Sequence, residues 1–156
     1  MRVISSAILA IWLVCLSHKS SEAVDLEPLD KYLTTHSIND PAVSGYLALR
    51  CASLYHYVGS LIAQTRNDGQ ELSDQYLQNS MLFLLFSAEA MSITGGKSVE
   101  DQFNINYDLV NKIGDIYAEE SNNNYISSGS YITNLIKADL TECQNNAPLL
   151  LNGLFE

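Results

Sequence analysis

Apolar residues in the stretch from Pro41 to Arg66 recur at spacings of three and four. Val43, Tyr46, Leu47, Cys51, Leu54, Tyr55, Val58, Leu61 and Ile62 fall on one side of a 3.6-residue period. This predicts a long helix. Asp40 suits its N-cap, and Pro41 takes the first helical position, where a missing N–H costs nothing. Asn67-Asp68-Gly69 supplies turn chemistry at the far end. Gly45, Ala52 and Gly59 recur at intervals of seven beside the apolar stripe, with Ala48 and Ala63 close to the same line. Side chains that small let a second helix approach toward the lower end of roughly 8–10 Å. A helix with two faces to bury is expected at the centre of the fold.

The remaining pattern predicts further helices. Val24 to Asn39 reads as a lead-in, with two helical turns carried by Leu29, Tyr32 and Leu33. Glu71 to Ile93 reads as the second long helix. Met81-Leu82-Phe83-Leu84-Leu85-Phe86 is apolar all round and is expected to be buried on most sides, and its Gln-, Ala-, Glu- and Met-rich flanks favour helix over strand. A third helix is predicted from Val99 to Glu120, capped by Ser98 and carrying Glu100 and Asp101 at its positive end. Its stripe is Val99, Phe103, Tyr107, Val110, Ile113, Gly114 and Tyr117, and its Asn- and acid-rich opposite face is read as solvated. Ser121-Asn122-Asn123-Asn124 reads as a polar linker. A final helix is expected from Ser128 or Ser130 to Gln144, with Ile132, Leu135, Ile136, Asp139 and Cys143 on one face and a break at Asn145 to Pro148. No stretch alternates with period two. The predicted fold class is all-α: a four-helix up-down bundle with a short N-terminal lead-in helix and one disulfide.

Residues 1–23 are expected to be an export signal, with Arg2 as basic start, Ala7 to Leu16 as apolar core, and cleavage after Ala23 in Ser21-Glu22-Ala23. Ten apolar residues are too few to span a bilayer comfortably, so no stable membrane insertion is expected once the signal is cleaved. This leaves a single domain, residues 24–156, in the periplasm or secreted. Removal of Arg2, Lys19 and Glu22 leaves 6 basic and 17 acidic residues, a formal charge of −11. That balance excludes nucleic acid as a partner, since phosphates call for a basic patch. It also disfavours anionic membrane surfaces and suits a soluble exported chain. Cys15 leaves with the signal, and Cys51 and Cys143 remain as an even pair in an oxidising compartment. Their crosslink would close about 90 residues, worth up to roughly 4–5 kcal/mol in the chain-entropy account. Two separate buried thiols are the alternative.

Candidate chemistry is sparse. Arg50 sits beside Cys51, and Asp139 lies one turn before Cys143, so a crosslink would bring the two charges together. A buried charge calls for a partner, and the pairing reads either as a device that sets helix register or as an anion or carboxylate site. Glu89, in an apolar stretch, is the rival partner for Arg50. His56, on the small-residue face between Tyr55 and Tyr57, is a further candidate lining residue. The tail residues Leu149, Leu150, Leu151, Leu154 and Phe155 are unusually apolar, and either fold back on the bundle or dock a partner. Thr94-Gly95-Gly96-Lys97-Ser98 resembles the end of a phosphate loop, but Met91 stands where a glycine is needed and a helix precedes it. It reads as a glycine helix stop followed by a serine cap. No Ser-His-Asp arrangement, Cys-x-x-Cys-His haem motif or metal-ligand spacing is present, so no catalytic residue, cofactor or metal is expected.

The run Arg50-Cys51-Ala52-Ser53-Leu54-Tyr55, with the apolar start and the late Cys143, resembles small exported helical proteins of marine bacteria. The resemblance covers the overall plan and that six-residue stretch. It implies a helical bundle with paired cysteines, and no activity. The reading is therefore a non-enzymatic binding or interaction module of the cell envelope, docking to another envelope protein or to itself. The alternative is a small-ligand site for an anion or carboxylate inside the bundle, between the small-residue face and Arg50, His56 and Glu89. An acid-responsive envelope chaperone is a further alternative, resting on charge and crosslink alone.

Overall fold

The computed structural model describes residues 26–152. The export signal expected over residues 1–23, and the tail residues Leu154 and Phe155, lie outside the described residues. Five helices and no strand are present among the described residues: α1 (Leu29–Thr35), α2 (Pro41–Thr65), α3 (Gln70–Gly95), α4 (Val99–Ser128) and α5 (Asn134–Asn152). They pack as a helical bundle. No described helix is long and apolar enough to cross a membrane.

Local chemistry sets the helix ends. The Asp40 carboxylate accepts from the Ala42 N–H at 2.9 Å, satisfying one orphan donor at the start of α2, with Pro41 just inside. The Ser98 hydroxyl accepts from the Asp101 N–H at 3.0 Å at the start of α4. Gly96 (φ 64°) and Gly129 (φ 74°) end α3 and α4 in the left-handed conformation that a Cβ would strain. The Thr94–Ser98 segment is thus a helix stop and a helix cap, as its sequence suggests.

α2 is the central element and packs against α3, α4 and α5, with α3 as its most extensive neighbour. Every residue from Leu47 to Tyr55 is buried, so more than two full turns are enclosed on all sides. Burying each leucine there stabilises the fold by about 1.5–3 kcal/mol. The small-residue line expected to admit a close neighbour does so, and α3 answers it in register. The hydroxyl of Ser73 donates to the Gly59 carbonyl (2.9 Å), that of Ser80 to the Ala52 carbonyl (2.8 Å) and that of Ser87 to the Gly45 carbonyl (2.8 Å). The three serines share the seven-residue interval of their partners and run in the opposite order, so α2 and α3 are antiparallel. A Cβ added at Gly45 would come within 2.6 Å of Met91 Cγ, and one at Gly59 within 3.0 Å of Leu77 Cγ.

This seam corrects several expectations. Met81–Phe86 is not enclosed: Phe83 and Leu84 are buried, but Met81 and Leu85 are 45 % and 42 % exposed, because α3 turns its serines toward α2. In α4, Val99 and Tyr107 of the expected stripe are exposed, while the polar Gln102 and Asn106 beside it, which the stripe left out, are buried. They are buried because they extend the same polar line. Gln102 Nε2 donates to Asn106 Oδ1 (2.8 Å), and Asn106 Nδ2 to Ser87 Oγ (2.8 Å). Each buried amide is thereby paired, as burial demands.

Two helix boundaries also move. α4 continues through the supposed linker at Ser121–Asn124 to Ser128. The buried Ser121 hydroxyl donates to the Tyr131 carbonyl at 2.6 Å, and Asn124 Nδ2 reaches the carbonyls of Ser130 and Ile132 at 2.7 and 3.3 Å. The polar run thus ties the chain after the helix back onto it. α5 begins only at Asn134, which leaves Ile132 outside it and half-exposed, and continues past the expected break with Pro148 inside. A proline in a helix interior costs about 3 kcal/mol. Leu150, 1 % exposed in the core, offsets much of that by about 1.5–3 kcal/mol.

Widening the α2–α3 seam is expected to be costly. Ala52→Leu, at a fully buried position opposite Ser80, should lower unfolding free energy by about 1–3 kcal/mol, whereas Ala63→Leu, at an exposed position, should change it by less than about 0.5 kcal/mol. Urea denaturation of both variants makes the comparison, and equal effects would rule out tight packing at this seam.

Candidate functional site

Arg50 and Asp139 meet inside the bundle, both with no exposed surface. α2 presents Arg50 one residue before Cys51, and α5 presents Asp139 one turn before Cys143. The two sulfurs lie at disulfide distance, 2.07 Å, with Cα atoms 5.5 Å apart. Crosslink and ion pair therefore join the same two helices side by side.

The charges are fully engaged. Arg50 Nη2 donates to Asp139 Oδ2. Arg50 Nε donates to the Tyr117 hydroxyl (3.0 Å), and Nη1 donates to the Tyr46 hydroxyl (3.0 Å) and the Glu27 carbonyl (3.2 Å). The Tyr117 hydroxyl in turn donates to Asp139 Oδ2, and the Leu29 N–H donates to Asp139 Oδ1 at 2.8 Å. The guanidinium carbon lies 5.8 Å from the Tyr46 ring centre and 5.7 Å from that of Tyr117, within cation–π range. No buried side-chain nitrogen or oxygen among the described residues lacks a partner.

Burial alone would lower the Arg50 pKa, but the neighbouring Tyr117, Asp139 and Tyr46 outweigh it and raise the value above the usual one, so the cation is held. Burial pushes the Tyr117 phenol well above its ordinary 10.0. Asp139 adds to that rise, while Arg50 opposes it. A guanidinium closed over by two phenols, a carboxylate and a main-chain carbonyl has no face left for a ligand. The arrangement fastens α2, α4 and α5 together and pins the segment from Glu27 to Leu29 onto them.

The other sequence-singled residues lie elsewhere, which corrects the expected ligand cluster of Arg50, His56 and Glu89. His56 follows Arg50 by six residues, a turn of about 240° around the helix, and faces a different side. Glu89 is exposed, next to the inward-facing Ser87, Ala88 and Ala90, and borders a shallow groove with Asn39, Pro41 and Ile93. The tail also divides. Leu150 is buried in the core and Leu151 packs against it, so neither is free to dock a partner, whereas Leu149 is 58 % exposed.

His56 instead lines a cleft of about 260 Å³ between α2 and α4. Tyr57 and Gln64 of α2 and Asn111, Asp115 and Asn122 of α4 supply its other main polar groups, and Leu61, Gly114 and Ala118 its apolar part. Of these residues the sequence offered only His56 as a candidate site residue. The α4 contributors recur at 111, 115, 118 and 122, one face of the helix, and that spacing was the available signal. Among the described residues no three His, Cys, Asp or Glu side chains are grouped to hold a metal ion. No family model, curated protein or solved structure matches the chain.

Two outcomes follow from the buried pair. Asp139→Ala leaves an uncompensated guanidinium in the core and should cost about 3–5 kcal/mol. It should also speed hydrogen exchange at the Leu29 amide beyond the global change, and normal protection there would remove the pinning role. The Tyr117 phenol, raised when folded, contributes stability that is complete below its unfolded value near 10 and is lost as pH rises beyond it. Burial also raises Tyr55 and Tyr57, so Tyr117→Phe should make the alkaline decline in unfolding free energy shallower by about 1.4 kcal/mol per pH unit above pH 10 without abolishing it. Denaturant titrations across that range in both proteins decide the point, and parallel slopes would refute it.

Proposed function

We propose that the protein is an exported, non-enzymatic binding or interaction module of the cell envelope, built as an up-down bundle of α2 to α5 with α1 as its lead-in. Short connections between successive long helices and the antiparallel α2–α3 seam support the up-down arrangement. The export reading rests on residues 1–23, and the oxidising compartment it implies accords with the Cys51–Cys143 pair.

The observation that carries the interaction reading is at the end of α5. Leu149 is 58 % exposed, while its neighbour Leu150 is 1 % exposed in the core. An exposed leucine held next to such an anchor is presented without the ordering cost that a loose tail would bring to binding. Leu154 and Phe155 extend the same apolar end of the sequence. The occupant is another envelope protein or a second copy of the chain. Self-contained charges at Arg50 and Asp139, with neither open to a substrate, argue against chemistry at the most polar point of the interior.

A photocrosslinking residue at position 149 of the exported protein should give a discrete protein adduct in the envelope, resolved by mass as heterologous or as a dimer. The same residue at position 68, where Asp68 is exposed, should not. No adduct at 149, or equal adducts at both, would sink the docking reading.

A further inference from the structure

We propose that the cleft between α2 and α4 binds a neutral polyhydroxylated ligand of one-ring size, a monosaccharide. This site is independent of the docking end of α5. Its lining decides the class. No lysine or arginine borders it, and Asp115 repels anions, so a phosphate or carboxylate finds nothing to hold it. His56 and Asp115 are two metal ligands without a third. The cleft is too polar for a hydrocarbon, and its volume lies below the roughly 300–1,000 Å³ of sites that enclose drug-sized ligands.

The donor and acceptor inventory then selects among polar ligands. Gln64, Asn111 and Asn122 each offer both an N–H₂ donor and a carbonyl acceptor, Asp115 offers acceptors alone, and the His56 ring offers a donor or an acceptor. An ammonium ion only donates and would leave the amide donors idle. A hydroxyl donates and accepts at once, so a ring carrying several uses both halves of each amide and the carboxylate. Asn111 Nδ2 donates to the Tyr107 carbonyl at 3.1 Å, which orients its amide. The ion pairs among the described residues, Arg50–Asp139 and Arg66–Asp68, leave Asp115 uncommitted. Leu61, Gly114, Ala118 and the half-buried Tyr57 ring offer an apolar floor for the C–H face of a sugar, and small residues at 114 and 118 keep that floor low.

The test is an amide-resolved NMR titration of the oxidised exported chain with glucose, galactose, mannose and N-acetylglucosamine, and with ethanolamine as the cation probe. At least one sugar should give saturable shifts centred on His56, Gly114 and Asp115, and ethanolamine none. Asp115→Ala, at an exposed position that leaves folding unaffected, should weaken that sugar about tenfold or more, the loss expected for a hydrogen bond to a charged acceptor. Ala118→Phe should abolish it by filling the floor. Absence of saturable shifts with all four sugars, saturation by ethanolamine instead, or unchanged sugar affinity in Asp115→Ala would overturn the proposal. None of those results bears on crosslinking at position 149.

Discussion

A guanidinium buried at the centre of a 17.3 kDa protein is the constraint to which the rest of this structure answers. Removing such a charge from water costs several kcal/mol even after relaxation, and Coulomb attraction to one carboxylate repays that only when the remaining donors are also met. Here, beside Asp139 on α5, three further acceptors take its N–H groups: Tyr46 on α2, Tyr117 on α4 and the Glu27 carbonyl ahead of α1. Mispacking any of these elements would expose the cost of the charge. The pair is therefore better understood as an instrument of specificity than as a source of net stability. The neighbouring Cys51–Cys143 crosslink acts on the same two helices through the unfolded chain, by a route that does not depend on geometry inside the core.

The second organising feature is polar as well, but of the opposite kind. Ser73, Ser80 and Ser87 donate to main-chain carbonyls of α2 that already serve the helix, so the bonds use spare lone pairs and leave no buried group orphaned. Their value lies in size: a serine facing a glycine or alanine brings two backbones together where a leucine would hold them apart. Asn106 and Gln102 then carry the line to α4. The interior consequently has an apolar side, with Leu47, Leu54, Phe83 and Ile136, and a polar seam beside it.

Much of this was legible in the sequence, and the misses share a cause. The heptad of Gly45, Ala52 and Gly59 announced a close neighbour, and the adjacency of Arg50 to Cys51 and of Asp139 to Cys143 announced that the charges would meet. What failed was the assumption that apolar residues mark the buried face of every helix. In α3 the contact face is shared by serines, and in α4 partly by amides, so a hydrophobic stripe pointed partly outward, to Val99 and Tyr107 in α4. The ends of α4 and α5 were misplaced for a related reason. Asn124 and Ser121 look like linker residues until their bonds to the following turn are seen, and Pro148 looks like a terminator until Leu150 is found in the core. The cleft at His56 was invisible because it is made by two helices, and only one of its residues stood out on its own.

The contacts of α2 divide sharply by distance along the chain. On its α3 side the partners are 14, 28 and 42 residues away. On its other side Tyr117 is 67 residues away, Asp139 is 89 and Cys143 is 92. The first set closes like a zipper from the Asn67–Gly69 turn, each step adding a short loop to one already made. The second has no such staircase and must wait for α4 and α5 to be synthesised and folded. Until then Arg50 stands on the wall of an unfinished hairpin as a solvated cation without its carboxylate. α5 is thus the helix that allows the middle of the protein to become dry.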